Sequence, residues 1–173
     1  MMDPGLKKRA ANIRLAVFDV DGVLTDGRLY MGPDGFEMKV FHTRDGHGLK
    51  ALMRNDIAVA VISGRRSTVV EARMAQLGVN DVFLGVEDKL PCYVALRERL
   101  GLADDACAFM GDDLVDLPAM SEVGLAVAPA DAHPDVLAKA HWHSRAAGGF
   151  GAVRECCDLI LAARGADIQY AGN

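Results

Sequence analysis

Leu15-Ala-Val-Phe18 runs directly into Asp19-Val-Asp21-Gly22-Val-Leu-Thr25-Asp26-Gly27, and the architecture turns on that junction. Four consecutive apolar residues suit a strand buried on both faces, as in a parallel sheet covered by helices. Side chains alternate along a strand, so Asp19 and Asp21 share one side if the strand continues. Carboxylates that close repel one another unless positive charge lies between them. A hard cation with oxygen ligands, such as Mg²⁺, is the natural occupant. Gly22 permits a sharp exit from the strand. A solvated turn with an Asx bond is the competing reading, and the motif alone does not choose.

Working outward, further apolar runs predict strands over 57–62, 82–84, 106–110, 123–127 and, short, 141–143. Amphipathic stretches predict helices over 45–55, 67–77, 88–100, 114–122, 134–139 and 151–163. Gly78 and Gly101 follow two of these as left-handed caps, and Pro91 falls in a first turn, where a missing N–H costs little. The alternation predicts an α/β fold: a three-layer, Rossmann-like, doubly wound parallel sheet. One segment breaks the rhythm. Residues 28–31, the turn Gly32-Pro-Asp-Gly35 and residues 36–41 read as a β-hairpin inserted after strand one. It is expected over the carboxyl end of the sheet, where ligands bind in such folds.

Three other strand ends are polar. Gly111-Asp112-Asp113-Leu-Val-Asp116 follows strand four; acids favour a helix N-terminus anyway, yet two acidic strand ends on one edge suggest a divalent-cation site. Ser63-Gly64-Arg65 follows strand two and reads either as an N-cap or as an anion cradle of hydroxyl, Gly N–H and helix N-terminus. Lys89 reads as a surface lysine or as the cation completing a phosphoryl-transfer site. No glycine-rich Walker sequence is present.

Composition narrows the classes. The chain has 173 residues, 19 Lys plus Arg and 24 Asp plus Glu, for a net charge of −5. That length predicts a single domain over 1–173, with a core about 14–164 and flexible termini. Nucleic acid is a poor partner for a net acidic chain. No run approaches the ~20 apolar residues of a membrane span. The polar start has no apolar signal region, and the polar tail 166–173 is expected to fray. Cys92, Cys107, Cys156 and Cys157 form no C-x-x-C pair and are expected reduced, as in a cytoplasmic protein. The scattered Met residues read as core filler.

Taken in order, Asp19-Val-Asp21-Gly-Val-Leu-Thr25, Ser63, Lys89 and Gly111-Asp112-Asp113-x-x-Asp116 resemble the haloacid dehalogenase superfamily, over residues 14–164. The resemblance implies that Asp19 is a nucleophile forming an aspartyl-phosphate, and Asp21 a general acid and then base. Mg²⁺ would be held by the Asp19 carboxylate, the Asp21 carbonyl and Asp112. Asp113 and Asp116 would orient Lys89 or metal waters, Ser63 and the Gly64 N–H would hold phosphoryl oxygens, and Lys89 would offset their charge.

A closer resemblance is to a small capless branch acting on phosphorylated keto-sugar acids. It rests on the first motif through Gly27, on Arg44-Asp45-Gly46-His47-Gly48, Ser63-Gly64-Arg65, Gly111-Asp-Asp-Leu-Val-Asp-Leu-Pro118, Ala130-Asp-Ala-His133-Pro134 and Gly148-Gly-Phe-Gly-Ala-Val-Arg-Glu155. It implies a phosphatase for an eight-carbon acid in cytoplasmic lipopolysaccharide precursor synthesis, with Thr25, Arg44, Gly64 and Arg65 at the substrate. It also implies a homotetramer in which neighbours pack on the hairpin and shield active sites at subunit interfaces. Phe150 stands where relatives usually carry a basic residue. A nine-carbon, sialic-acid-type substrate is the alternative. A mutase needs a cap, for which the length leaves no room, and a non-catalytic module is disfavoured by the intact set Asp19, Asp21, Lys89 and Asp112.

On their own chemistry, Arg44 and Arg65 read equally as surface charges or as anion partners. His47 reads as packing or solvent-facing, and His133 as loop structure. His141 and His143 alternate along a strand but lack a nearby third metal ligand.

Overall fold

The computed structural model describes residues 2–166. In chain order its elements are α1 (Pro4–Asn12), β1 (Leu15–Phe18), β2 (Tyr30–Met31), β3 (Glu37–Met38), α2 (Thr43–Arg54), β4 (Ala58–Ser63), α3 (Thr68–Leu77), β5 (Asp81–Leu84), α4 (Lys89–Arg99), β6 (Cys107–Met110), α5 (Leu117–Glu122), β7 (Leu125–Ala128), α6 (Pro134–Lys139), β8 (Trp142–His143) and α7 (Ala152–Ala163).

Six strands form one parallel sheet in the order β5-β4-β1-β6-β7-β8. Alternation along β1 divides the interior in two. Ala16 and Phe18 join a core with α1, α2, α3 and α7; Leu15 and Val17 join a second with α4, α5 and α6. This is the expected three-layer, doubly wound architecture. After β5 the chain crosses back to β6 on the other side of β1, so the strand order reverses at the β1–β6 junction, the position at whose carboxyl edge ligands bind in such folds.

α1 escapes the periodic pattern because Ala10 is its sole buried residue. Local chemistry builds it instead: Pro4 opens it, and Asp3 accepts the Leu6 N–H at 2.9 Å. Arg9 and Asn12 then donate to the Gly124 and Asp105 carbonyls at 2.8 and 2.9 Å. α2 starts earlier than predicted because His42 Nδ1 accepts the Arg44 N–H. The predicted helix 114–122 begins as a 3₁₀ turn, Leu114–Asp116, ahead of α5. Gly78 closes α3 with φ 80°, as its position predicts.

The hairpin is present but short, with Tyr30 opposite Met38 and Met31 opposite Glu37. Period-two geometry sends Phe36, Met38 and Val40 outward, 63%, 46% and 54% exposed, and turns Glu37 and Lys39 inward. Among the described residues, no second domain stands over the sheet. Ala166 packs partly against the core; the rest of the predicted frayed tail, 167–173, lies outside the described residues. No helix of the described residues is long and apolar enough to cross a membrane.

Candidate active site

Because the sheet is parallel, the turns after β1, β4, β5 and β6 all open on one edge. The Asp19 N–H donates to the Met110 carbonyl at 3.0 Å, extending β1 one residue along β6. The chain then wraps tightly: the N–H groups of Val23, Leu24 and Thr25 all point at the Val20 carbonyl, at 3.2, 2.9 and 3.0 Å. Gly22 makes this turn with φ 94°, and a Cβ there would lie 2.0 Å from Asp112 Oδ2. Only glycine lets the two acidic strand ends meet.

Lys89 joins them. It is 3% exposed, and its Nζ donates to Asp19 Oδ1 and to Asp116 Oδ1, both at 2.6 Å. Asp116, fully buried, turns its other oxygen to the backbone N–H groups of Asp112 and Asp113, at 3.0 and 3.3 Å. Asp113 is exposed and caps the following turn by accepting the Leu114 N–H at 2.7 Å. Asp116 therefore holds Lys89 directly, while Asp113 serves the local turn.

One ammonium faces three carboxylates: oxygens of Asp19, Asp112 and Asp116 lie within 4.8 Å of one another. Burial, and then the charge of Asp116, push Asp19 up to about 7 despite Lys89. Burial, with Asp19, Asp116 and Asp113 adding to it, pushes Asp112 up to about 8. Burial pulls Lys89 down, but Asp19 and Asp116 outweigh it, so its proton is held more tightly than usual. Both Asp116 oxygens are engaged, leaving Asp19 and Asp112 to supply ligand oxygens. A hard divalent cation fits this donor set and relieves the crowding.

The other predicted residues divide. Ser63 ends β4, is 3% exposed, and its Oγ accepts the Arg65 N–H at 3.4 Å. It is not an N-cap, since α3 starts at Thr68, so the turn after β4 stands apart from the helix N-terminus that the anion-cradle reading included. Gly64 is exposed at that turn. Arg65 Nε lies 3.8 Å from Asp21 Oδ2. Thr25 departs from the substrate role: it is 1% exposed, and its hydroxyl donates to the Val20 carbonyl at 3.3 Å and accepts the Gly27 N–H at 3.2 Å, bracing the turn. Arg44 lines a neighbouring cavity of about 320 Å³ with Phe150, Gly151, Arg154, Glu155 and Asp158. His133 Nδ1 accepts the Asp135 N–H at the start of α6, as a loop residue should. His141 Nδ1 accepts the Ala126 N–H at 2.9 Å, tying the turn before β8 to β7.

Several contributors escape sequence reading. Lys39 pairs with Asp21, and Glu37 lies 3.5 Å from Lys39 and accepts the Ser67 hydroxyl at 2.5 Å. The Ser67 bond and the Lys39 charge hold Glu37 below its ordinary value, against its burial. The alternation Phe36-Glu37-Met38-Lys39-Val40 is the signal that could have found them. The His133 N–H donates to the Asp112 carbonyl at 2.8 Å, and Asp131 accepts the Gly148 N–H at 2.9 Å.

The model of the haloacid dehalogenase-like hydrolases matches residues 42–124. A 3-deoxy-D-manno-octulosonate 8-phosphate phosphatase of Yersinia pestis is 52% identical over 157 residues, 91% of this chain and 84% of that protein. The chain belongs to the haloacid dehalogenase-like hydrolases. Within the haloacid dehalogenase-like hydrolases it groups with phosphoric monoester hydrolases. The crystal structure of a Yersinia pestis phosphatase of the same name superimposes with a TM-score of 0.93 at 49% identity, covering 95% of this chain and 89% of that one. The Moraxella catarrhalis phosphatase, solved in complex with magnesium ion, phosphate ion and KDO, superimposes with a TM-score of 0.91 at 39% identity, covering 92% of each chain.

Proposed function

We propose that this chain hydrolyses 3-deoxy-D-manno-octulosonate 8-phosphate to the free sugar acid and phosphate, with Mg²⁺, in cytoplasmic synthesis of lipopolysaccharide precursors. The observation behind it is Lys89 bridging Asp19 and Asp116 beside Asp112, in a chain about half identical to phosphatases of that ester. The functional unit is a single domain over 1–173.

Asp19, kept in place by Lys89, attacks phosphorus and forms an aspartyl-phosphate. Asp21 gives a proton to the leaving alkoxide, then takes one from the water that hydrolyses the intermediate. Ser63 Oγ and the Gly64 N–H hold phosphoryl oxygens in line for attack. The Asp19 carboxylate, the Asp21 carbonyl and Asp112 would hold Mg²⁺, which would supply positive charge against the phosphoryl oxygens. Arg65, beside Asp21, meets the anionic substrate; Arg44 acts from the adjoining cavity, where Phe150 offers no charge. The exposed apolar hairpin supports a homotetramer in which neighbours close the sites.

The test is phosphate release from the eight-carbon 8-phosphate and a nine-carbon 9-phosphate, with and without Mg²⁺. Faster release from the former, dependent on Mg²⁺ and abolished by Asp19→Asn in a folded protein, is expected. Preference for the nine-carbon ester would replace the substrate, and wild-type turnover by Asp19→Asn would remove the nucleophile.

A further inference from the structure

Lys39 is the only buried residue between Gly27 and Phe41, and a lysine is among the least expected there. Its side chain is 1% exposed, its ammonium touches Asp21 Oδ1, and Glu37 Oε1 lies 3.5 Å away. Glu37 is anchored in turn. Its Oε2 accepts the Ser67 hydroxyl at the entry to α3, and its Oε1 sits 3.6 Å from Arg65 Nη2. That Oε1 is buried without a hydrogen bond, so the two cations alone balance it. A continuous link thus runs from α3 through Ser67, Glu37 and Lys39 to Asp21.

The link ends on a group whose orientation the reaction depends on. Lys89 secures Asp19, whereas Lys39 and Arg65 hold the Asp21 carboxylate. Arg65 does so loosely: it is 3.8 Å from Oδ2 and its side chain is 43% exposed, where water screens the pair. The shielded Lys39 pair is the one able to set a rotamer, since a charge-assisted bond strengthens where solvent is excluded.

We propose that Lys39 is a positioning residue for the proposed reaction, whose ammonium fixes Asp21 Oδ1 so that Oδ2 is the oxygen that handles the proton. The proton leaves Oδ2 for the alkoxide as the ester P–O bond breaks. It returns to Oδ2 from water as the water oxygen bonds to phosphorus and the Asp19–phosphorus bond breaks. This inference rests on the role given to Asp21 above. It also gives the hairpin an inward task, distinct from its exposed face.

Leaving groups provide the test. A sugar alkoxide needs a proton to depart, whereas p-nitrophenolate does not. Single-turnover release of alcohol is measured with enzyme in excess and Mg²⁺ present, for the sugar 8-phosphate and for p-nitrophenyl phosphate. Wild type, Lys39→Met, Lys39→Arg and Asp21→Asn are compared; Lys39→Gln replaces the methionine variant if the latter does not fold. Lys39→Met is expected to slow sugar release about 10- to 100-fold, the range of a lost charged hydrogen bond, and nitrophenolate release less than about threefold. Lys39→Arg should restore much of the loss, and Lys39→Met should add little on top of Asp21→Asn. Equal losses on both esters, or none, would overturn the proposal for Lys39 while leaving Asp21 in its role. If Asp21→Asn itself shows no contrast between leaving groups, the reading of Asp21 fails and Lys39 with it.

Discussion

Lys89 shows how much one side chain does here. Replacing it by Met leaves Asp19 and Asp116 buried without their cation, a loss on the order of 3–5 kcal/mol for breaking a buried pair. Urea unfolding at neutral pH without metal should show that loss, and turnover should fall at least 100-fold. The crowded carboxylates also set a pH dependence. Asp19 and Asp112 rise from the ordinary 3.8 to about 7 and about 8, so the folded chain holds their protons more tightly than the unfolded chain does. Metal-free stability should therefore be greatest near pH 4 and fall as pH rises through about 8, as far as these two groups act. Mg²⁺ competes with those protons, so it should raise the melting temperature more at pH 8 than at pH 6. A scanning fluorimetry series with equal gains at both values would contradict this. Asp19, Lys89, Asp112 and Asp116 could be picked out in the sequence because each follows an apolar run. For Lys39 the alternation of the hairpin signals only an inward-facing position; its pairing with Asp21, 18 positions away across a turn of unknown register, does not show in the sequence.

At the scale of elements, the strands of the sheet were readable since runs apolar on both faces have few other uses. α1 was not, because capping and two long-range side-chain bonds hold it with one buried residue. The loop 148–151 shows a tighter coupling. A Cβ on Gly148 would lie 1.8 Å from the Gly22 carbonyl oxygen, and the Gly149 N–H donates to the Val23 carbonyl at 3.0 Å. The segment before α7 thus presses on the turn that carries Asp21. Gly148→Ala should displace that turn, costing about 1–3 kcal/mol in stability as overpacking does and at least tenfold in kcat. Denaturation midpoints and steady-state rates on one preparation would check both. Glycine in the sequence signals only a turn; the close approach that forbids a side chain is visible only once both loops are in place.

For the whole molecule, a cavity of about 700 Å³ lies at the far edge among Lys8, Arg9, Asn12, Asp105 and Gly124, away from the acidic centre. The acidic centre lies instead at the carboxyl edge of the sheet, where Lys39 of the hairpin reaches Asp21. Met31 and Phe36 of that hairpin are 67% and 63% exposed, more apolar surface than a two-stranded ribbon keeps in water without use. In the proposed tetramer, Met31→Asp with Phe36→Asp should reduce the mass by light scattering from four chains to one and lower activity. A tetramer surviving both changes would move the interface elsewhere. Local pattern was enough to reveal the parallel sheet and its carboxyl-edge acids, because strand burial and charge repulsion act over a few residues, and the order of the motifs, through their resemblance to a known family, implied the reaction class. Tertiary packing was needed to bring Lys89 between Asp19 and Asp116, to turn Thr25 inward as a brace, and to lay Lys39 on Asp21. Those contacts join residues distant in the chain, and register, turn geometry and close approach arise only when separate elements pack.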